Sequence, residues 1–152
     1  IMKYQTIQCI IILIIIDQLS KFATVWNWIP LFEFGPIQWT LVYNHGVTLG
    51  KMHSLPSWVL SLIQFSALVC VYFIQIPKHA KSLLLAGGIG NLIDRILLHA
   101  VTDIIQLRIG TWHWPAVINL ADLYITSGAI LWLIAEIKEN TGIFSKRTLQ
   151  SE

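Results

Sequence analysis

The chain has 152 residues, of which 55% are hydrophobic and only 12% are charged, and its formal net charge at pH 7 is +2. A soluble domain carries about twice that share of charged residues, so this composition excludes an ordinary soluble domain and indicates one compact membrane protein. The small net charge and the lack of Lys/Arg runs argue against a nucleic-acid partner.

Four apolar segments predict membrane-spanning helices, since a spanning helix needs about 20 mostly apolar residues. The predicted helices cover residues 4–23, 57–76, 82–98 and 117–137. The rest of the chain divides into two predicted outer segments, 24–56 and 99–116, and a polar tail, 139–152. Residues 1–152 are therefore expected to form a single membrane-embedded domain.

The two outer segments contain short stretches that are typical of β-strands. WTLVYN, residues 39–44, is rich in aromatic and β-branched residues, and IIQLRIG, residues 104–110, alternates apolar with polar residues. The predicted fold class is an all-α integral membrane protein with four transmembrane helices and a small β-sheet element on the outer membrane face.

The basic residues and tryptophans predict how the helices cross the membrane. With a cytoplasmic N-terminus, the inner side holds Lys3, Lys78, Lys81, Lys138, Lys146 and Arg147, and the outer side holds Lys21, Lys51, Arg95 and Arg108. All the tryptophans except Trp132 fall on the outer side, where the headgroup region suits their rings. Both termini are therefore expected in the cytoplasm.

Polar and ionisable residues gather near the outer ends of three predicted helices. They are Asp17, Ser20 and Lys21, then Asn91, Asp94 and Arg95, and finally Asn119 and Asp122. Within each group the spacing of three or four residues places the side chains on one helix face. Ionisable residues inside membrane helices are costly unless paired or hydrated, and they are usually functional.

Structural roles stay open for most of these residues. The acid–base pairs can brace or anchor helices, and the asparagines can serve as interhelical hydrogen bonds alone. Asp103, which follows the third helix, and Asp122 have no basic neighbour in the sequence, and this favours them as catalytic residues. The histidines are scattered without an HExxH motif, so no metal is expected, and His45 is interpreted as a loop residue rather than a base.

The chain resembles the lipoprotein signal peptidases, the signal peptidase II family of bacterial membrane aspartyl peptidases. The resemblance rests on motifs that follow one another in the family's order. They are DQLSK at 17–21, YNHG at 43–46, GGIGNLIDR at 87–95, VTDII at 101–105 and NLAD at 119–122. The glycine-rich third motif is the most specific of them.

The resemblance implies that Asp103 and Asp122 form the catalytic pair, without a cofactor. It assigns site support or substrate binding to Asp17, Lys21, Asn44, Gly46, Asn91, Asp94, Arg95 and Asn119. The family removes signal peptides from prolipoproteins just before a cysteine that carries diacylglycerol. The expected partners are the lipidated prolipoprotein and membrane lipids. The expected state is a monomer in the bacterial inner membrane, with its active site at the outer face.

The sequence also departs from the family's usual pattern. The departures are Val47, Thr48 and Leu49 after the asparagine motif, Ile104 and Ile118 in place of phenylalanine, and one additional residue within 114–119. These changes concern substrate preference and packing rather than the aspartate pair.

Two rival functions stay open from the residues alone. A small proton-coupled transporter also uses intramembrane acids, although its acids are expected near the midplane and its halves are expected to repeat. A non-catalytic subunit could use the same polar residues to bind partner helices.

Overall fold

The structure of the protein, a computed structural model, describes residues 4–46 and 55–141, apart from the side chain of His113. The helices are α1 (Tyr4–Val25), α2 (Ser57–Phe73), α3 (Lys78–Leu98) and α4 (Leu120–Asn140). The strands are β1 (Phe32–Phe34), β2 (Ile37–Asn44), β3 (Val101–Ile109) and β4 (Trp112–Ile118). The predictions that fall on Lys3, Val47, Thr48, Leu49, Lys51, Lys146, Arg147 and the end of the polar tail lie outside the described residues.

The helix α3 is the centre of the bundle and packs against α1, α2 and α4. Its glycines allow α4 to come close: a Cβ atom at Gly87 would overlap the carbonyl oxygen of Ala121. The same two helices approach again at Gly128, where an added Cβ would lie 3.0 Å from the carbonyl oxygen of Ala80. The small residues of the GGIGN motif therefore have a packing role, as the sequence indicates.

Large apolar side chains cover the outside of the bundle, and its interior is unusually polar. Ile12, Leu62, Phe73 and Leu133 are all more than half exposed. Buried positions instead include Asp17, Lys21, Thr24, Asn91, Asp94, Thr102, Asp103 and Asn119. Such an arrangement is unfavourable in water, but it suits a bundle whose surroundings are as apolar as its surface.

Two helices among the described residues are long and apolar enough to cross a membrane, α1 and α4. The helix α2 is also apolar but has 17 residues. Of the predicted four transmembrane helices, four helices are present in the described part of the chain, and two of them are long and apolar enough to cross a membrane.

A four-stranded antiparallel sheet in the order β1-β2-β3-β4 sits at one end of the bundle. The two predicted strands correspond to β2 and β3. The sequence did not indicate β1 and β4. The predicted all-α fold class therefore does not describe the four-stranded sheet. Trp39 in β2 ties the sheet to α1, because its indole nitrogen donates to the Thr24 hydroxyl over 2.9 Å. Strand β4 lies at an edge of the sheet. It can contain Pro115, which has no backbone N–H, because an edge strand has no neighbouring strand on one side to receive that hydrogen bond.

The segment 114–119, which holds one residue more than the family's usual pattern, overlaps an irregularity in the pairing of β4 with β3. Gln106 pairs with Val117, but Arg108 already pairs with His113, so the register shifts opposite Leu107. Three β4 residues then face one β3 residue, and the strand resumes its register before Asn119.

Several predicted helix bounds differ from the structure, among them the end of the fourth helix, which was expected at residue 137 and lies at Asn140. The second helix was expected over 57–76 but ends at Phe73, because the chain becomes extended at Ile74 ahead of Pro77. The third was expected from residue 82 but begins at Lys78, since proline at the helix start loses no hydrogen bond. The fourth was expected from residue 117, but its first two residues pair with β3.

The bounds of the two outer segments also differ from the predicted ones. The first was expected to begin at residue 24, yet α1 continues to Val25. The second was expected to end at residue 116, and it extends to the end of β4 at Ile118.

We expect Gly87→Ala to lower the free energy of unfolding by about 1–3 kcal/mol, because the new methyl group meets the α4 backbone, which cannot move aside cheaply. Helix propensity alone predicts the opposite, a gain of about 1 kcal/mol. Thermal unfolding in detergent measures the difference, with Ser66→Ala on the exposed face of α2 as the control. A Gly87→Ala variant at least as stable as the wild type would contradict the close approach of α3 and α4.

Candidate active site

A buried ion cluster joins α1 to α3. It is formed by Asp17, Lys21 and Asp94. The Lys21 Nζ atom lies 2.8 Å from Asp17 Oδ2 and 3.1 Å from Asp94 Oδ2. The Gln18 amide nitrogen donates to the same two carboxylates, over 3.2 Å and 3.1 Å. The sequence paired Asp94 with Arg95 as one structural alternative, but the structure pairs Asp94 with Lys21.

Asp103 lies in β3, and amide groups donate to both of its carboxylate oxygens. Asn119 Nδ2 donates to Oδ1 over 2.7 Å, and Asn44 Nδ2 donates to Oδ2 over 3.1 Å. The Asn44 side chain is oriented by Gly46, whose backbone N–H donates to Asn44 Oδ1 over 3.0 Å. The YNHG motif therefore aims an amide donor at Asp103.

Burial and the nearby charge of Asp122 raise the pKa of Asp103 from 3.8 to about 6. The hydrogen bonds from Asn44 and Asn119 and the charge of Lys21 act against this rise. Asp103 is thus a carboxyl group that can hold and release a proton near neutral pH.

Asp122 lies in the first turn of α4, where its two oxygens accept from different elements. Asn91 Nδ2 in α3 donates to Oδ1 over 2.8 Å, and the backbone N–H of Asn119 donates to Oδ2 over 3.2 Å. The Asn119 side chain in turn accepts from the Asp122 backbone N–H over 2.9 Å, which completes a capping box. The helix start and the acidic group are therefore fixed by the same bonds.

Asn119 connects the two aspartates directly. It is fully buried and bonds to Asp103 through its side-chain amide and to Asp122 through both its backbone and its side chain. Asn119 Nδ2 also lies 3.3 Å from the Thr102 carbonyl oxygen in β3. One residue thus fixes the start of β3 against the start of α4.

Arg95 lies between α2 and the YNHG turn. Its guanidinium donates to the Gln64 side-chain oxygen and, over 3.4 Å, to the Gly46 carbonyl oxygen. Gln64 is itself held by α3, since its amide nitrogen donates to the Gly88 carbonyl oxygen over 2.6 Å. Arg95 therefore links α2 and α3 to the turn that carries Asn44.

A cavity of about 840 Å³ opens beside the two aspartates. Its polar end contains Asn44, Asn91, Arg95, Asp103 and Asp122, and the walls further along α2, α3 and α4 are apolar, with Leu68, Val71, Leu84 and Ile125. Ile118, one of the departures from the family's pattern, also lines the cavity, and Ile104 is fully buried behind it.

Every site residue that the sequence predicted belongs to one connected set of hydrogen bonds and ion pairs. The chain of contacts passes through Asp17, Lys21, Asp94, Asn91, Asp122, Asn119, Asp103, Asn44, Gly46 and Arg95. Sequence reasoning missed Gln18 and Gln64. An amide in the middle of apolar α2 is a signal that could have indicated Gln64.

The described residues contain no group of three or more His, Cys, Asp and Glu side chains that could hold a metal ion. His45 is exposed, and its Nδ1 atom lies 3.3 Å from the His99 carbonyl oxygen.

Comparison with known proteins identifies the family. The family model described as signal peptidase (SPase) II matches residues 9–138. The chain belongs to the signal peptidase II family. Its members are aspartic peptidases of bacterial inner membranes that remove signal peptides from prolipoproteins, so the resemblance stated from the motifs and the predicted enzyme class are confirmed.

Curated relatives cover most of the length of this chain. A lipoprotein signal peptidase of Hydrogenovibrio crunogenus is 35% identical over 82% of this chain and 80% of the relative. Another, of Burkholderia mallei, is 32% identical over 87% of each chain. The family assignment favours a peptidase over the transporter and the non-catalytic subunit.

Two solved structures share the fold, and both are described as bacterial membrane enzymes solved by the in meso method. One, at 2.3 Å resolution, has a TM-score of 0.73 and 27% identity, and covers 97% of this chain and 94% of its own. The other, at 1.9 Å resolution, has a TM-score of 0.75 and 29% identity, and covers 88% of this chain and 93% of its own.

The raised pKa of Asp103 predicts that protein stability depends on pH. Between about pH 4 and the folded-state pKa of about 6, the folded protein keeps the proton that the unfolded chain has lost, so stability falls as pH rises. Asp103→Asn removes this dependence. We expect the variant to gain up to roughly 3 kcal/mol relative to the wild type across this interval.

Thermal unfolding in detergent from pH 4 to pH 7 measures this gain, and Glu33→Gln, an exposed acid paired with Arg108, is the control. The prediction concerns the change with pH, because the hydrogen bonds altered by the asparagine add a constant offset. Parallel curves for Asp103→Asn and the wild type would contradict it.

Proposed function

We propose that this chain is a multi-pass membrane endopeptidase that cuts diacylglyceryl-modified prolipoproteins just before the lipidated cysteine, with Asp103 and Asp122 as the catalytic pair. The observation that carries the proposal is the placement of both carboxyl groups around Asn119, at the polar end of a cavity with apolar walls. An apolar cavity suits lipid tails and an apolar signal peptide, and the polar end suits the peptide bond to be cut.

The mechanism follows from two acids held in one buried site. Two neighbouring carboxylates cannot both ionise easily, so the pair shares a proton and titrates as a unit. Asp103, with its pKa of about 6, is suited to carry that proton to the scissile carbonyl and then to the leaving nitrogen. Asp122, as the ionised partner, takes a proton from the attacking water. The pair needs no metal for this chemistry.

The remaining predicted residues support this pair in the proposed site. Asn44, Asn91 and Asn119 hold the carboxyl groups through the hydrogen bonds described above. Arg95 lines the cavity, where its guanidinium can donate to a carbonyl of the bound signal peptide.

The proposed topology has four membrane-spanning helices, both termini in the cytoplasm and the active site at the outer face. The hydropathy of α1 and α4 supports it, as does the excess of basic residues in the sequence segments that are predicted to face the cytoplasm. Asp17 and Asp94 lie toward the ends of α1 and α3, and Asp122 lies at the start of α4, so the acids share one end of the bundle. That end also carries the sheet, which we place at the outer membrane surface.

The proposed enzyme acts as a monomer, in contact with membrane lipids through its exposed apolar side chains.

The test of the pair is the cleavage of a purified lipidated prolipoprotein, followed by its shift on a gel. Asp103→Asn and Asp122→Asn should each lower the rate by at least about 10³-fold, because each removes one member of a proton-sharing pair. Both variants should stay folded, since asparagine is close in size and shape to aspartate.

The matched control is Glu33→Gln, which makes the same chemical change at an exposed site on the sheet and should keep the wild-type rate. A chelator should leave the wild-type rate unchanged. Wild-type turnover by either asparagine variant would remove the aspartate pair from the mechanism, and strong inhibition by the chelator would indicate a metal enzyme.

A further inference from the structure

We propose that Lys21 is a positioning residue that sets the separation of Asp103 and Asp122. This inference rests on the proposed function, because it assumes that these two aspartates react. Asp17, Lys21 and Asp94, the buried ion cluster, are absent from the cavity wall as far as residues 4–46 and 55–141 define it. The cluster therefore lies behind the aspartate pair and acts on it through other groups.

Each carboxylate of the buried ion cluster holds the backbone just before one active aspartate. Asp17 Oδ1 accepts the backbone N–H of Ala121 over 2.9 Å, next to Asp122. Asp94 Oδ2 accepts the backbone N–H of Thr102 over 2.9 Å, next to Asp103. The positions of the two cluster carboxylates therefore fix the positions of the two active ones.

Lys21 joins these carboxylates and also reaches the pair by a third route. Its ammonium group has three donors, and the structure gives it three acceptors: Asp17 at 2.8 Å, Asp94 at 3.1 Å and Asn91 Oδ1 at 3.2 Å. Because the Asn91 oxygen faces Lys21, the Asn91 nitrogen faces the carboxylate of Asp122, to which it donates over 2.8 Å. Lys21 thereby determines the orientation of the Asn91 amide.

Burial makes the bridge rigid and sensitive to its removal. Lys21 is 3% exposed and Asp17 is fully buried, so water cannot replace the ammonium group. Without it, two buried carboxylates of α1 and α3 repel each other. The repulsion would move the backbone at Thr102 and Ala121, and misplacement of a reacting group by about 1 Å can cost about 100-fold in rate.

The experiment distinguishes the loss of the contacts that Lys21 makes from the loss of its positive charge. The two carboxylates and one ammonium of the cluster leave one net negative charge, and Lys21→Met leaves two. Lys21→Met combined with Asp94→Asn restores one net negative charge without restoring the bridge, and the asparagine oxygen can still accept from Thr102. Lys81→Met is the matched control, because the Lys81 ammonium donates only to the exposed Tyr72 carbonyl among the bonds described for it.

We expect Lys21→Met to lower kcat by at least about tenfold and to leave KM within about twofold, because the substrate still meets an intact cavity wall. The double variant should regain thermal stability while its kcat stays low. Lys81→Met should keep both wild-type constants.

The inference is overturned if the double variant regains the wild-type kcat, since the charge of Lys21 alone would then account for its effect on kcat. It is also overturned if Lys21→Met raises KM at unchanged kcat, since Lys21 would then contact substrate. Full cleavage by Lys21→Met beside an inactive Asp103→Asn removes only this inference, whereas cleavage by Asp103→Asn removes the proposed function.

Discussion

The structure depends on one constraint: charged groups that are buried in an apolar bundle, away from water, must pair with opposite charges or with hydrogen-bonding groups. Asp17, Lys21 and Asp94 do so through an ion cluster with hardly any exposure, and amides complete the remaining bonds. An unpaired charge at such a position costs several kcal/mol, so each partner restricts where the next can lie. The result is a polar interior whose geometry is fixed from helix to helix.

This constraint also explains why the reacting groups come from distant parts of the chain. Asp103 belongs to a strand and Asp122 to a helix, and Asn119 between them in the sequence bonds to both. The hydrogen bonds leave the carboxyl groups facing a cavity instead of each being neutralised by a basic residue. Burial beside another acid then keeps the pKa of Asp103 near 6, as proton transfer near neutral pH requires.

The sequence predicted the composition of the site well because the polar residues stand out against an apolar background. Spacings of three and four residues placed seven of them on helix faces, and Asp103 was indicated by the absence of a basic neighbour. Asn44 and Gly46 were indicated only by the family resemblance. All ten predicted site residues lie in one bonded set. The pattern could not show which acid pairs with Lys21, since that depends on how α1 approaches α3. Gln64 was missed because it is a single amide in an apolar helix, with no second amide or charged residue three or four positions away.

The fold was predicted less accurately where apolar residues serve two structures equally well. Val117 and Ile118 suit a membrane helix by hydropathy, but they pair with β3, and α4 begins only after Asn119. The end of α2 was placed too late because its hydropathy continues past Phe73, while Pro77 ends the helical conformation earlier. Hydropathy reports the surroundings of a residue and leaves its backbone hydrogen bonds undetermined.

The central claim is that Asp103 and Asp122 share one proton, and infrared difference spectroscopy tests it most directly. The spectrum of the wild type minus that of Asp103→Asn isolates the carboxyl groups of this pair while it is titrated. The account predicts a protonated carboxyl band that persists well above the ordinary aspartate pKa and disappears with a midpoint near 6. A pair that is fully ionised at pH 5 would contradict the shared proton and, with it, the mechanism.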